Sequence, residues 1–193
     1  KEVTQSFSKP NVGLSGYEGD DILGTLSKRF AEEGHEVIIC SGDYDSLQLV
    51  CDQVHVKILK NGGKHEHYCP QSLLEQKGIT SAQVIDVKAL QGDTSDCIPG
   101  CPGIGEKTAV KLITEHGTLD NLYANVDSLT PKMRAKLTEN KEQVYLSQKL
   151  ATILSDAPVE LMLEEASWEY DQVLVLEKMN ELEFSKTMLA RIG

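Results

Sequence analysis

Along residues 20–33, DDILGTLSKRFAEE, the apolar positions Ile22, Leu23, Leu26 and Phe30 recur at the spacing of one helical face, and Gly34 ends the run. EVIICS (36–41) is a nearly continuous apolar stretch and predicts a buried parallel strand. DYDSLQLV (43–50) starts another helix, VHVKIL (54–59) is a second strand, and HEHYC (65–69) a third after the Gly62-Gly63 turn. PQSLLEQKG opens with proline and closes with glycine, as a short helix does. SAQVIDVKALQG (81–92) predicts a further helix. This alternation is the pattern of an α/β layer with a parallel sheet.

After Asp93 the strand signal nearly vanishes. Helices are predicted at 105–116, 119–126, 130–139 and 141–154, an extended piece at 156–163, and a last amphipathic segment at 171–184. The chain thus divides into an atypical N-terminal segment (1–15), an α/β part (16–92), a helical part (93–155) and a C-terminal segment (156–193) expected to pack on the α/β core. No repeat, low-complexity segment or flexible linker interrupts it.

A chain of 193 residues, 40% hydrophobic and 25% charged, describes an ordinary globular protein. No apolar run is long enough to span a bilayer, so no membrane partner is expected. The polar start KEVTQSFSKPN is not a signal peptide and lacks an initiator Met, which suggests a piece of a longer protein. The five cysteines fit no disulfide framework, and reduced thiols in a cytosolic setting are expected. His65-x-His67-x-Cys69 has a zinc-like look, but an alternating strand with exposed histidines is the better reading. The net charge of −11 by itself argues against a nucleic-acid partner, unless cations neutralise acids gathered in one place.

The acids are gathered. Glu18, Asp20 and Asp21 stand at a helix start, Asp43 and Asp45 follow a strand, and Asp93 and Asp96 lie three residues apart. Capping explains one acid of the first cluster but not three within four residues, it weighs equally with a site for the second, and a solvated loop suffices for the third taken alone. Strand ends, however, are where open α/β sheets place their ligands. Together the seven carboxylates form an oxygen-rich set suited to Mg²⁺ or Mn²⁺. A pair of such ions serves phosphodiester hydrolysis.

Directly after the third cluster comes PGCPGIGEKTAVKLI, helix–hairpin–helix in type. Gly103 and Gly105 allow a tight turn and close approach of a partner, and Lys107 sits in the first turn of the next helix, whose backbone N–H groups favour an anion. Such a hairpin grips a duplex backbone without reading bases. No P-loop is present, so ATP use is not expected.

GYEGDDILGTL, SGDYDSLQL, LQGDTSDCIPGCPGIGEKTAVKL and LSQKLATILSDAPVEL resemble the 5′-nuclease domain of bacterial DNA polymerase I, part of the wider flap endonuclease family. The resemblance runs from about Gly16 to the end. It implies an α/β, parallel-sheet (PIN-like) core followed by a helix–three-turn–helix subdomain, cutting 5′ flaps and 5′ ends of duplex DNA or RNA–DNA with two divalent metals. By this resemblance Glu18, Asp20 and Asp21 help hold the first metal, Asp43 and Asp45 are shared, and Asp93 and Asp96 hold the second. Asp20, Asp21, Asp43 and Asp45 are the catalytic candidates. Gly103, Ile104, Gly105, Lys107 and Thr108 match the duplex-gripping hairpin, where the family also binds K⁺, here near Cys101 and Ile104. A polymerase domain in the parent protein, roles in replication and repair, and a place in the bacterial nucleoid or an organelle of bacterial origin are further implications. The sequence departs from the family at Tyr44 (Lys or Arg is common), at Cys97 (Asn is usual) and in lacking the family's N-terminal portion. The alternative function is therefore a non-catalytic duplex-binding fragment.

Overall fold

The computed structural model describes residues 1–192. Its elements are α1 (Glu2–Ser6), α2 (Gly19–Glu32), β1 (Val37–Ser41), β2 (Val54–Leu59), β3 (His65–Tyr68), α3 (Pro70–Lys77), α4 (Ser81–Gln91), α5 (Glu106–His116), α6 (Leu119–Ala124), α7 (Pro131–Glu139), α8 (Lys141–Ala151), α9 (Gln172–Glu181) and α10 (Lys186–Leu189). The helix expected at 43–50 is a 3₁₀ helix, Tyr44–Leu49.

β1 and β2 pair in parallel, with Val37 opposite Val54. β3 joins the other edge of β2 antiparallel, giving the order β1-β2-β3. The connection between β2 and β3 is a short Gly62-Gly63 turn, too short for the crossover a parallel strand needs. The expectation of a fully buried β1 is corrected: Ile39 is buried, but Ile38 is 51% exposed and Cys40 is exposed. β1 is an edge strand, and the face carrying Ile38 is uncovered. His67 of β3 sits beside His55 of β2, with ring nitrogens 3.3 Å apart.

Three apolar clusters hold the chain. One lies under the sheet (Ile39, Val54, Val56, Ile58, Tyr68, Leu73) and one among the helices (Leu90, Ile113, Leu122, Leu137, Val144). Val84 of α4 packs against both, so α4 is the wall they share. In the third, Ile22 of α2 packs with Ala157 and Val159, flanked by Val12 and Leu14. At the chain start, the Phe7 ring meets Trp168 and Tyr170, and Glu2 of α1 pairs with Lys178 of α9.

Side-chain amides knit the parts together. Gln48 donates to the Ala151 carbonyl and accepts from the Ile153 amide, tying the 3₁₀ helix to the end of α8. Asp86, buried in α4, accepts from the Leu119 amide and from Gln148. Gly24 of α2 permits a close approach: a β-carbon there would stand 2.7 Å from Ile153 Cγ2 and 2.8 Å from the Leu154 carbonyl.

Candidate metal centre and nucleic-acid interface

Glu18 is the N-cap of α2, and the Asp21 side chain accepts from the Glu18 amide at 3.0 Å, completing a capping box. The other Asp21 oxygen accepts from the Leu154 amide at 2.9 Å. Asp21 is thus a structural clasp between α2 and the segment after α8. Asp20 makes no side-chain hydrogen bond among the described residues. Burial, followed by the charges of Asp43, Glu18, Asp21 and Asp96, raises its pKa above 3.8.

Asp43 follows β1 and caps the 3₁₀ helix by accepting from the Asp45 amide at 2.9 Å. This is the cap the sequence allowed for, yet it leaves Asp43 facing the other acids. One ligand oxygen each from Asp43, Asp45 and Asp96 lies within 4.8 Å of the others, the only such group among the described residues. A cavity of about 330 Å³ is lined by Glu18, Asp20, Asp21, Asp43, Asp45 and Asp96, and closed by Ile98 and residues 150–153. Six of the seven singled-out acids therefore line one space, from segments far apart in the chain.

Asp93 is placed differently. It accepts from the Ser95 amide at 2.7 Å and from the Ser95 hydroxyl, and pairs with Lys88 Nζ at 2.7 Å. The Lys88 and Ser95 hydrogen bonds hold its carboxyl well below the usual carboxylate range. Asp93 and Asp96 share a loop and a contact to Lys88, but only Asp96 lines the acidic cavity.

The residue sequence reasoning missed is Lys88. It sits on α4, its side chain 7% exposed, and its ammonium contacts Asp45, Asp93 (2.7 Å) and Asp96 (3.4 Å). Burial alone would lower its pKa, but hydrogen bonds and charge from Asp45 and Asp93 outweigh that and push it up. Asp45 in turn is raised by burial against the opposing Lys88 bond, with Asp43 and Asp96 adding to the rise. A signal was present: VIDVKAL carries two charged residues in a run whose neighbours are apolar.

Tyr44 stacks beneath two ammonium groups, Lys60 at 4.5 Å and Lys77 at 4.6 Å from its ring centre, and donates to Glu66. It lines a second cleft of about 630 Å³ that reaches Lys88 and Asp93.

The hairpin continues from Asp93. An antiparallel bridge joins Asp93 to Ile98, and Gly92 and Gly100 meet back to back above it. α8 clasps the turn: the Gly100 amide donates to Ser147 at 3.0 Å, and Gln143 donates to the Gly100 carbonyl at 2.7 Å. Gly103 has φ +75° and its carbonyl accepts from Lys136 at 2.9 Å. Gly105 caps α5 with open space where a β-carbon would be. Lys107 is exposed and Thr108 half-buried, whereas Ile104 is buried and offers a partner only its backbone.

The chain matches two models of one family: "5′-3′ exonuclease, N-terminal resolvase-like domain" over residues 1–78, and "5′-3′ exonuclease, C-terminal SAM fold" over 79–173. The first match begins at residue 1, ahead of Gly16. A DNA polymerase I of Bacillus caldotenax is 43% identical over 187 residues, covering 95% of this chain and 21% of that protein. A 5′-3′ exonuclease of Bacillus subtilis (strain 168) is 35% identical over 196 residues, covering 100% of this chain and 66% of that protein. The chain spans about a fifth of the polymerase relatives it matches.

Among solved structures, T5 5′-exonuclease with bound divalent metal ions (zinc) superimposes with a TM-score of 0.65 at 23% identity, over 90% of this chain and 62% of that one. The catalytic core of Rad2 in complex with DNA substrate gives 0.63 at 19% identity, over 99% and 65%. These likenesses bear on the fold, and agree with the α/β layer followed by helices.

Proposed function

The chain belongs to the 5′-3′ exonuclease family, and on that premise we propose that it carries a metal-dependent, structure-specific 5′-nuclease centre, a 5′→3′ exonuclease and flap endonuclease acting on DNA. The observation that carries this reading is the single cavity lined by acids from three separate segments. Charge of one sign concentrated in that way needs cations to sit at low energy.

The donor set fits a hard divalent cation. Asp43, Asp45 and Asp96 present oxygen only, with ligand atoms close enough to share one ion. Asp20, raised by burial and then by its neighbours' charge, and without a hydrogen-bond partner of its own, stands ready as a further oxygen ligand. Mg²⁺ or Mn²⁺ is the expected identity, and two such ions are the family's complement. When bound, such ions activate water and stabilise the departing oxygen of a phosphodiester.

The remaining work falls to the protein. Asp21 and Glu18 fix the start of α2, which aims Asp20 at the cavity. The hairpin at 103–108 offers a helix start and the exposed Lys107 to a duplex backbone, in register with the acids because Asp93 and Ile98 are paired. A K⁺ ion near Cys101 and Ile104 would lie beside the Gly103 carbonyl that Lys136 already holds. Within this reading we propose, by likeness to the DNA polymerase I relatives, a polymerase domain in the parent protein and work in replication and repair on the bacterial nucleoid. No helix among the described residues is long and apolar enough to cross a membrane.

The test is a labelled 5′-flap duplex incubated with the protein and Mg²⁺, Mn²⁺ or EDTA. Metal-dependent release of the flap is expected, lost in an Asp43→Asn, Asp96→Asn double variant that still binds duplex. Binding without release under every metal would instead make the chain a duplex-binding fragment.

A further inference from the structure

Among the described residues two charged side chains belong to residues that are buried, Asp86 and Lys88. Asp86 is accounted for by its bonds to Leu119 and Gln148. Lys88 has no such structural partner. Its salt-bridge partners are carboxylates only, contributed by the 3₁₀ helix after β1 (Asp45) and the loop after α4 (Asp93, Asp96).

Two of those carboxylates serve two masters. Asp45 and Asp96 belong to the tight group with Asp43, and both also contact Lys88. Asp93 stands outside the tight group, bonded to Lys88 and Ser95. An ammonium and a divalent cation repel each other, and Asp45 and Asp96 have a limited number of oxygen lone pairs to share.

We propose that Lys88 is a built-in counter-cation that occupies Asp45 and Asp96 until a divalent ion displaces it, and then withdraws to Asp93. The inference rests on reading the acids as metal ligands. Lys88 is a positioning residue in this account: it keeps the acids gathered without metal, and it weakens the metal's hold by competing for two of its ligands. Asp93 then serves the centre by parking the displaced ammonium.

The test measures Mn²⁺ affinity by calorimetry, and thermal stability with and without metal, for the intact protein and for Lys88→Met and Lys88→Arg. Lys88→Met is expected to bind Mn²⁺ at least about tenfold more tightly, the scale on which groups behind a ligand act, and to melt earlier than wild type only when metal is absent. Lys88→Arg, which keeps the charge, is expected to retain the weaker wild-type affinity. Unchanged or weaker Mn²⁺ binding by Lys88→Met overturns the inference, since a merely structural lysine could not tighten the site when lost. If neither wild type nor Lys88→Met binds Mn²⁺, the nuclease reading falls with it; equal binding by both removes this inference alone. Should Lys88→Met fail to fold, the wild-type ammonium signal of Lys88 followed by NMR during Mg²⁺ titration decides: movement saturating with metal binding is expected, and a fixed signal overturns the proposal.

Discussion

Gly100 lies so close to Gly92 that a β-carbon on it would stand 2.3 Å from the Gly92 nitrogen and 2.6 Å from its Cα. Gly100 also has φ +61°, a conformation L side chains rarely adopt. Gly100→Ala is expected to cost about 3 kcal/mol, lowering the melting temperature by roughly 6–12 °C. Gly105→Ala, with nothing within 4 Å of the added carbon, is expected to cost no more than about 1 kcal/mol yet to weaken duplex binding. Thermal melts and a duplex titration on the two variants check the contrast.

Asp20 and Asp21 are neighbours with opposite expected phenotypes. Asp21 accepts from two backbone amides, so Asp21→Ala should lower stability by about 1–2 kcal/mol. Asp20 suffers burial and four like charges, so Asp20→Asn should leave the metal-free protein as stable or more so while weakening Mn²⁺ binding. Melting curves without metal, paired with calorimetry, would contradict this if the two variants behaved alike.

The depressed pKa of Asp93 has a defined sign in stability. Its pairing with Lys88 and Ser95 contributes fully above the unfolded value of about 3.8 and is lost as pH falls from there through the folded pKa. The stability gap between wild type and Asp93→Asn in metal-free buffer should therefore stay constant on acidification until near that value, then close. Asp20 and Asp45, both raised, protonate earlier and relieve repulsion. Denaturant titrations at a series of pH values read the gap directly; a gap that closed well above the ordinary carboxylate range would be inconsistent.

Cys97 has φ +58°, a left-handed conformation that asparagine tolerates better than cysteine. Cys97→Asn is expected to raise stability by about 0.5–1 kcal/mol, roughly 1–4 °C in melting temperature. An unchanged or lower melting temperature would mean the strain is relieved elsewhere.

Divalent metal should stabilise the fold as a ligand does. At about 100 times its dissociation constant, Mg²⁺ or Mn²⁺ is expected to add roughly 2.7 kcal/mol, reversed by EDTA. The Asp43→Asn, Asp96→Asn double variant should show no such increment in scanning calorimetry.

Much of this was legible in the chain. Ile22, Leu23, Leu26 and Phe30 marked α2, and the Gly/Pro turn marked the hairpin, because both signals are local. The acids could be found but not apportioned: the sequence spacing of Asp93 and Asp96 made them a pair, and only the fold separates them, bonding Asp93 to Ser95 and turning Asp96 into the acidic cavity. The apolar neighbours of Lys88 hinted at its burial, but not at its role, because its partner Asp45 lies 43 positions away. The exposure of Ile38 had no signal in the sequence. An apolar strand reads as buried whether or not anything lies beside it.

The Leu154 amide that steadies Asp21 lies 133 positions along the chain, and Gln48 reaches 103 and 105 positions to Ala151 and Ile153. Contacts that close such long loops form late in folding, because chain entropy opposes them until the rest is in place. An α/β layer that has folded ahead of its helices would hold Glu18 to Asp21 and Asp43 to Asp45, but not the wall at 150–153 or the loop bearing Asp96. Under the proposed function, a chain in which the end of α8 has not docked therefore lacks a complete cutting site.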